Sequence, residues 1–135
     1  MTTVKSPKYI FAIGRRKSAV SRIRLFKGKG ETLVNNLPID KYFPGAVLKK
    51  LYQEPLVTCD VLDKYYVTVK VLGSGKMSQL TAVIHGLARA LVKANPDFRP
   101  PLRQKGFITR DPRERQRRMI GMGGKSRRKK QSPKR

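Results

Sequence analysis

Alternating apolar and polar positions predict several strands in the first two thirds of the chain. The stretch KYYVTVKVL, residues 64–72, has an apolar residue at every second position on one face, and Lys70 belongs to the other face. AVSRIRLF, residues 19–26, alternates in the same way and places Arg22 and Arg24 on one side. KYIFAI at 8–13 is the expected partner strand, joined through the turn GRRK at 14–17. A short strand is expected in ETLVN, residues 31–35.

Two segments have the spacing of amphipathic helices. MSQLTAVIHGLARALVKA, residues 77–94, repeats apolar residues at i, i+3, i+4, i+7 and i+11 from Leu80, which predicts a long helix ending before Pro96. A weaker pattern over residues 44–52 predicts a second helix with Val47, Leu48 and Leu51 facing inward. Strands followed by helices in this order predict an α+β two-layer sandwich with a roughly four-stranded sheet.

Positive charge dominates the composition. The 135 residues include 32 Lys and Arg but only 8 Asp and Glu, for a formal net charge of +24. Residues 1–98 contain 17 basic and 6 acidic residues, whereas residues 99–135 contain 15 and 2. Such an excess attracts polyanions, and the apolar runs are too short to cross a bilayer. The sequence therefore predicts a nucleic-acid partner and no membrane.

The C-terminal quarter differs from the rest because it has too few apolar side chains to fold alone. We therefore predict a globular domain over residues 1–98 and a basic tail over residues 99–135 that ends in RRKKQSPKR. Within this tail, Asp111 is a candidate N-cap, Pro112 suits a first helical turn, and Glu114 lies three residues after the cap. These signals predict a short helix near residues 111–118.

Motifs for catalysis or metal binding are missing from the sequence. The glycine-rich loop LGSGKMS, residues 72–78, could hold a phosphate through backbone N–H groups. Lys70 and Met77 nevertheless occupy positions where a Walker motif needs Gly and Ser or Thr. His85 has no second His to share a metal, and Cys59 is the sole cysteine. The sequence predicts no catalytic residue, metal, cofactor or small-molecule substrate.

Four segments together resemble a known family. They are GRRKSAVSRIRL at 14–25, VNNLPIDKYFP at 34–44, KVLGSGKMSQLTAVIHGLARAL at 70–91 and LRQKGFITRDPRERQRR at 102–118. In this order they are similar to the bacterial form of the ninth protein of the small ribosomal subunit. The resemblance implies a domain similar to the second domain of the fifth small-subunit protein. It also implies a non-enzymatic role in translation, in the cytoplasm and within the ribosome, in contact with small-subunit ribosomal RNA and neighbouring proteins of the subunit head.

The candidate RNA-binding residues are all basic. For ribosomal RNA they are Arg15, Arg16, Lys17, Arg22, Arg24 and Lys76 in the globular part and Arg110, Arg113, Arg117, Arg118, Lys125, Arg127, Arg128, Lys129 and Lys130 in the tail. The resemblance further implies that Lys134 and Arg135 contact the transfer RNA anticodon stem-loop in the peptidyl site. The chain departs from the family where Ser132 and Pro133 replace an aromatic residue and a serine.

Three other classes fit the composition less well. The protein subunit of ribonuclease P is also small and basic with a similar fold, but its Arg-Asn-Arg helix motif is missing here. A DNA-compacting protein would need an apolar dimer face or an apolar wedge, and neither is evident. A small-molecule kinase on the same superfold fails at the glycine-rich loop.

Overall fold

The computed structural model describes residues 8–124. The elements in chain order are β1 (Ile10–Arg16), β2 (Ala19–Lys27), β3 (Leu33–Val34), β4 (Leu37–Pro38), α1 (Ile39–Tyr42), α2 (Ala46–Thr58), β5 (Tyr65–Leu72), α3 (Lys76–Ala94) and α4 (Arg99–Gln104). A 3-10 turn over Pro96–Phe98 joins α3 to α4. The predicted fold class is confirmed.

The sheet has the strand order β1-β2-β5-β3-β4, and its strands are antiparallel except for the parallel pair β3 and β5. Asn35 and Asn36 connect β3 to β4 with φ values of 49° and 66°, the left-handed conformation that tight hairpin turns require. The Asn35 side chain bonds both the N–H and the C=O of Val71, which fastens this hairpin to β5. The sheet thus has one strand more than expected because the two-residue β4 adds an edge.

Helix α3 covers one face of the sheet. The inward residues of β2 are those that the alternation predicted, and Ala19, Ser21, Ile23 and Leu25 are at most 1% exposed. The helix lies closest to the sheet at Gly14 of β1, where an added Cβ would stand 1.9 Å from the carbonyl oxygen of Ala82. Within residues 8–124, no helix packs on the other face of the sheet, which carries Arg22 and Arg24 of β2 and Lys70 of β5.

Helix α2 is longer than predicted and is rotated relative to the expected inner face. Val47 is 73% exposed, so its predicted inward position is wrong. The side chains turned towards the core are Leu48, Leu51, Tyr52 and Pro55, at i, i+3, i+4 and i+7. Val47 lies at the margin of that stripe, 100° from Leu48, in the first turn of α2.

The packed core continues beyond the predicted domain boundary at residue 98. Leu102 of α4 is fully buried in the main hydrophobic cluster. Phe107 and Ile108 also pack against this cluster. Short apolar contacts after α3 therefore hold the first part of the predicted tail against the globular domain.

The short helix predicted near residues 111–118 is absent, and residues 110–119 have no regular secondary structure. Its capping bond does form, since the Arg113 N–H donates to Asp111 at 3.0 Å. The same carboxylate also binds the Arg113 side chain at 2.8 Å. A helix does not follow because this segment has no apolar face to bury and its arginines would repel one another.

Candidate nucleic-acid interface

The open face of the sheet, formed by the outward side chains of β1, β2 and β5, carries a group of cations. Arg22 pairs in register with Lys70 of β5, and Arg24 pairs with Thr68. The alternation that buries Ile23 and Leu25 forces both arginines outward, and Arg22, Arg24 and Lys70 are exposed. None of these three cations forms a salt bridge with an acidic residue among residues 8–124. The face can therefore attract phosphate groups without first breaking ion pairs.

Aromatic rings border these cations at one end of the open face. The guanidinium carbon of Arg24 lies 5.2 Å from the ring centroid of Tyr9. Phe26 stacks on Tyr66 at 5.0 Å, and Tyr9 lies 5.7 Å from Phe26 at a tilted angle. Tyr9 is 44% exposed. Cations beside exposed rings are typical of surfaces that bind unpaired nucleic acid.

The three basic residues at the end of β1 have different environments. Arg15 is exposed and lies where the open face meets the edge of the sheet. Lys17 is exposed in the turn to β2, with a φ of 51°. Arg16 is instead engaged within the protein, because it bonds the Arg113 carbonyl at 2.9 Å and lies 3.4 Å from the Asp111 carboxylate. This contact holds the beginning of the extended tail against β1.

The glycine-rich loop before α3 packs against the turn between β1 and β2 through Gly73. Gly73 has a φ of 85°, and an added Cβ would lie 2.5 Å from the Ser18 carbonyl oxygen. Gly75 has open space around it. The Lys76 ammonium lies 3.4 Å from the ring centroid of Tyr42, so this candidate RNA contact also makes a cation–π interaction.

His85 has a structural role at the junction of three segments. Its Nδ1 accepts the backbone N–H of Arg15, and its Nε2 lies 3.2 Å from the Ile108 carbonyl oxygen. This pairing requires the neutral ring with the proton on Nε2. Burial lowers the pKa of His85, the Ile108 bond partly opposes this, and the charges of Arg89 and Arg110 lower it further.

Some of the candidate RNA-binding residues of the tail lie within the described residues, and the others lie outside them. Arg110 contacts the Asp111 carbonyl, Arg113 pairs with the Asp111 carboxylate, and Arg118 contacts the Gly124 carbonyl. The Arg113 hydrogen bonds are the main reason why the Asp111 pKa is lowered. Arg117 is exposed. The remaining predicted residues, Lys125, Arg127, Arg128, Lys129, Lys130, Lys134 and Arg135, lie outside the described residues.

Three cations near these surfaces were missed as candidates. Lys70 lies on the open face, and its place in the alternating strand was a usable signal. Arg89 and Lys93 follow His85 at i+4 and i+8, a spacing that places them on one side of α3. No feature of the sequence connected that side of α3 with β1.

Other kinds of site find little support in the described residues. Within residues 8–124, none of the helices has the length and apolar character that a bilayer crossing requires. The same residues include no group of three or more His, Cys, Asp or Glu side chains arranged for a metal ion. Cations facing open space are the main chemical feature of this part of the chain.

Comparison with known proteins gives one consistent result. A family described as ribosomal protein S9/S16 matches residues 14–135. Small ribosomal subunit protein uS9 of Lawsonia intracellularis is 42% identical over 117 residues, which cover 87% of this chain and 90% of that protein. The uS9 proteins of two Porphyromonas gingivalis strains are 46% identical over 113 residues, covering 84% of this chain and 88% of each relative.

Proposed function

Because the chain belongs to the ribosomal protein S9/S16 family, we propose that its globular part binds small-subunit ribosomal RNA and that its tail reaches the transfer RNA in the peptidyl site. Family membership makes the chain a structural component of the small ribosomal subunit, active in translation, and not an enzyme. It also decides against the ribonuclease P, DNA-compacting and kinase alternatives. The proposal concerns which surfaces of the chain meet which RNA.

The proposal that the globular part binds ribosomal RNA rests on the open sheet face. Arg22, Arg24 and Lys70 lie on a face without a helix and make no ion pair within residues 8–124. Uncompensated cations on a protein surface gain free energy by displacing the counterions of a phosphate backbone. Contacts of this kind recognise the shape of the RNA and position the protein.

The proposal that the tail binds RNA and reaches the transfer RNA rests on composition and on the family resemblance. The final nine residues, RRKKQSPKR, include six cations and no apolar side chain. Only a dense phosphate environment offsets the cost of ordering such a segment. We infer that Lys125, Arg127, Arg128, Lys129 and Lys130 bind ribosomal RNA and that Lys134 and Arg135 contact transfer RNA. We also infer that the chain contacts neighbouring proteins of the small-subunit head.

A matched pair of variants tests the RNA-docking face. Arg22→Gln/Arg24→Gln should weaken binding to small-subunit ribosomal RNA at least about tenfold, since hydrogen bonds to charged groups contribute about 1.5–3 kcal/mol each. Lys41→Gln/Lys50→Gln removes the same charge from exposed positions on α1 and α2, outside this face, and serves as the control. Equal affinity losses in both variants would contradict docking through the open face.

Truncation tests the transfer RNA contact. Small subunits reconstituted with a chain that lacks Lys134 and Arg135 should assemble normally, because these residues are far in sequence from the core. Their affinity for transfer RNA in the peptidyl site should fall by about 1–3 kcal/mol, the scale of charge-assisted hydrogen bonds. Unchanged affinity with normal incorporation would refute the contact and leave ribosomal RNA docking intact.

A further inference from the structure

The free edge of β1 is covered by polar side chains from α3. Among residues 8–124, β2 is the one strand that pairs with β1, so the groups on the outer edge of β1 need other partners. Arg89 donates to the Ile13 carbonyl at 2.6 Å, and Lys93 donates to the Phe11 carbonyl at 2.9 Å. With the His85 contact to β1, these bonds form a row at i, i+4 and i+8 of the helix. The row protects the edge from pairing with another strand.

This row leaves most of its hydrogen-bonding capacity unused. A guanidinium has five N–H donors and an ammonium has three, and each of these side chains gives one bond to β1. Both Arg89 and Lys93 are exposed. Their remaining donors face solvent beside the strand, so covering the edge does not account for their full chemistry.

A groove of about 610 Å³ runs along this edge between β1, α3 and the residues after α4. We call it the edge groove, and its cationic lining consists of Arg15, Arg89, Lys93 and Arg110. No carboxylate lines it, and none of the four cations forms a salt bridge within residues 8–124. Four positive side chains around one groove repel one another unless an anion lies between them.

Phe11 is the aromatic residue in the lining of the edge groove. It is 41% exposed on the edge strand, and its carbonyl accepts the Lys93 bond. Grooves for single-stranded nucleic acid combine cations that follow the backbone with aromatic rings on which bases stack. A duplex keeps its bases stacked inside and gives such a ring nothing to contact.

We propose that the edge groove is a second RNA site, which binds the phosphodiester backbone of an unpaired stretch of ribosomal RNA. This inference rests on the proposed function and names the chemistry of one further contact. Arg89 and Lys93 bind consecutive phosphates, and Phe11 stacks on a neighbouring base. Arg15 connects the groove with the open sheet face, because it lines both surfaces.

The test measures binding of the full chain to small-subunit ribosomal RNA at several salt concentrations. Arg89→Gln/Lys93→Gln should weaken binding about tenfold or more and lower the salt slope by about 1.4, at about 0.7 for each phosphate contact of a single strand. Arg99→Gln/Arg103→Gln removes the same charge from exposed positions on α4 and should have a smaller effect. Arg89→Lys/Lys93→Arg keeps the charge and should bind nearly as the wild type does, and thermal unfolding of each variant checks the fold.

Two model ligands test the preference for unpaired RNA. Phe11→Leu should weaken binding to oligouridine several-fold and leave binding to a blunt RNA duplex unchanged. If Arg89→Gln/Lys93→Gln and Arg99→Gln/Arg103→Gln weaken binding to ribosomal RNA equally while the wild type binds it, RNA binding by the edge groove is refuted. The proposed function would then still stand. Failure of the wild-type chain to prefer small-subunit ribosomal RNA over an unrelated RNA would overturn both.

Discussion

The backbone N–H of Arg15 donates to Nδ1 of His85 at 3.2 Å, across 70 positions of sequence. The other ring nitrogen of His85 bonds the Ile108 carbonyl, so one imidazole joins β1, α3 and the segment after α4. Protonation of this ring removes the first bond, because a protonated Nδ1 cannot accept the N–H of Arg15, whereas Nε2 still donates to the Ile108 carbonyl.

The first prediction is a loss of stability as pH falls through the ordinary histidine range. Burial and the charges of Arg89 and Arg110 lower the folded-state pKa of His85, so the unfolded chain binds a proton at a pH where the folded chain does not. The free energy of unfolding should therefore decrease as pH falls below about 6.5 and level off below the folded pKa. Urea unfolding at several pH values between 7.5 and 5 measures this change in the free energy of unfolding.

His85→Gln is the control for this prediction, because glutamine does not titrate and keeps a donor and an acceptor. The carboxylates contribute equally to both proteins, so the difference between the two pH profiles isolates the histidine. Parallel profiles over this range would contradict the assigned role of His85.

The second prediction concerns the contact of α3 with β1. In Gly14→Ala the new Cβ would lie 1.9 Å from the backbone carbonyl of Ala82, and backbone atoms cannot move away as a flexible side chain does. We expect a loss of about 3 kcal/mol or more, at the upper end for overpacked cores. Chemical denaturation measures it, with Gly75→Ala, at an open position, as control. Similar stability of the two variants would refute the close approach.

The third prediction separates two roles of the glycine-rich loop. Gly73→Ala combines a left-handed φ with a contact of 2.5 Å to the Ser18 carbonyl, so it should cost about 1–3 kcal/mol. A Cβ at Gly75 has no atom within 4 Å, so Gly75→Val should cost no more than the loss of a favoured N-cap residue of α3, about 1 kcal/mol. Any loss of RNA affinity in Gly75→Val therefore reports RNA near the loop. If its affinity and stability both match the wild type, the loop is ordinary surface.

The fourth prediction concerns the beginning of the tail. Asp111→Asn removes the carboxylate that lies against Arg16 and Arg113, so residues after Arg110 should become more mobile in the isolated protein. Backbone NMR order parameters measure this change, and the melting temperature should stay the same because no core residue is involved. Glu114→Gln removes an acid without a salt bridge in the described chain and is the control. Equal order parameters in both variants would show that this ion pair does not position the tail.

Periodicity alone was enough to predict the main elements. The alternation in residues 19–26 and 64–72 identified β2 and β5 and their buried faces, and the spacing from Leu80 identified α3. Such patterns are reliable where a long element has one buried face, because burial demands the same residue spacing in any fold. The outward position of Arg22 and Arg24 follows from the same rule.

Weak or isolated signals were less informative. The capping residues at 111–114 predicted a helix that does not form, although the Asp111 bond to Arg113 is present. A cap satisfies one or two N–H groups, but helix formation has a costly nucleus that must be offset by an apolar face packed elsewhere. The prediction for the inner face of α2 was wrong at Val47. Which side of this helix is buried depends on where the neighbouring helix lies, and local spacing does not determine that.

The sequence by itself determined the long strands, the long helix α3, the excess of positive charge, and which cations of one element share a face. Only the tertiary structure decided which faces meet. Gly14 and Gly86 bring α3 close to β1, and this approach places Arg89 and Lys93 on the strand edge and groups them with Arg15 and Arg110. Local spacing sets the direction of a side chain relative to its own element, whereas a site shared by elements 70 positions apart depends on how their backbones pack.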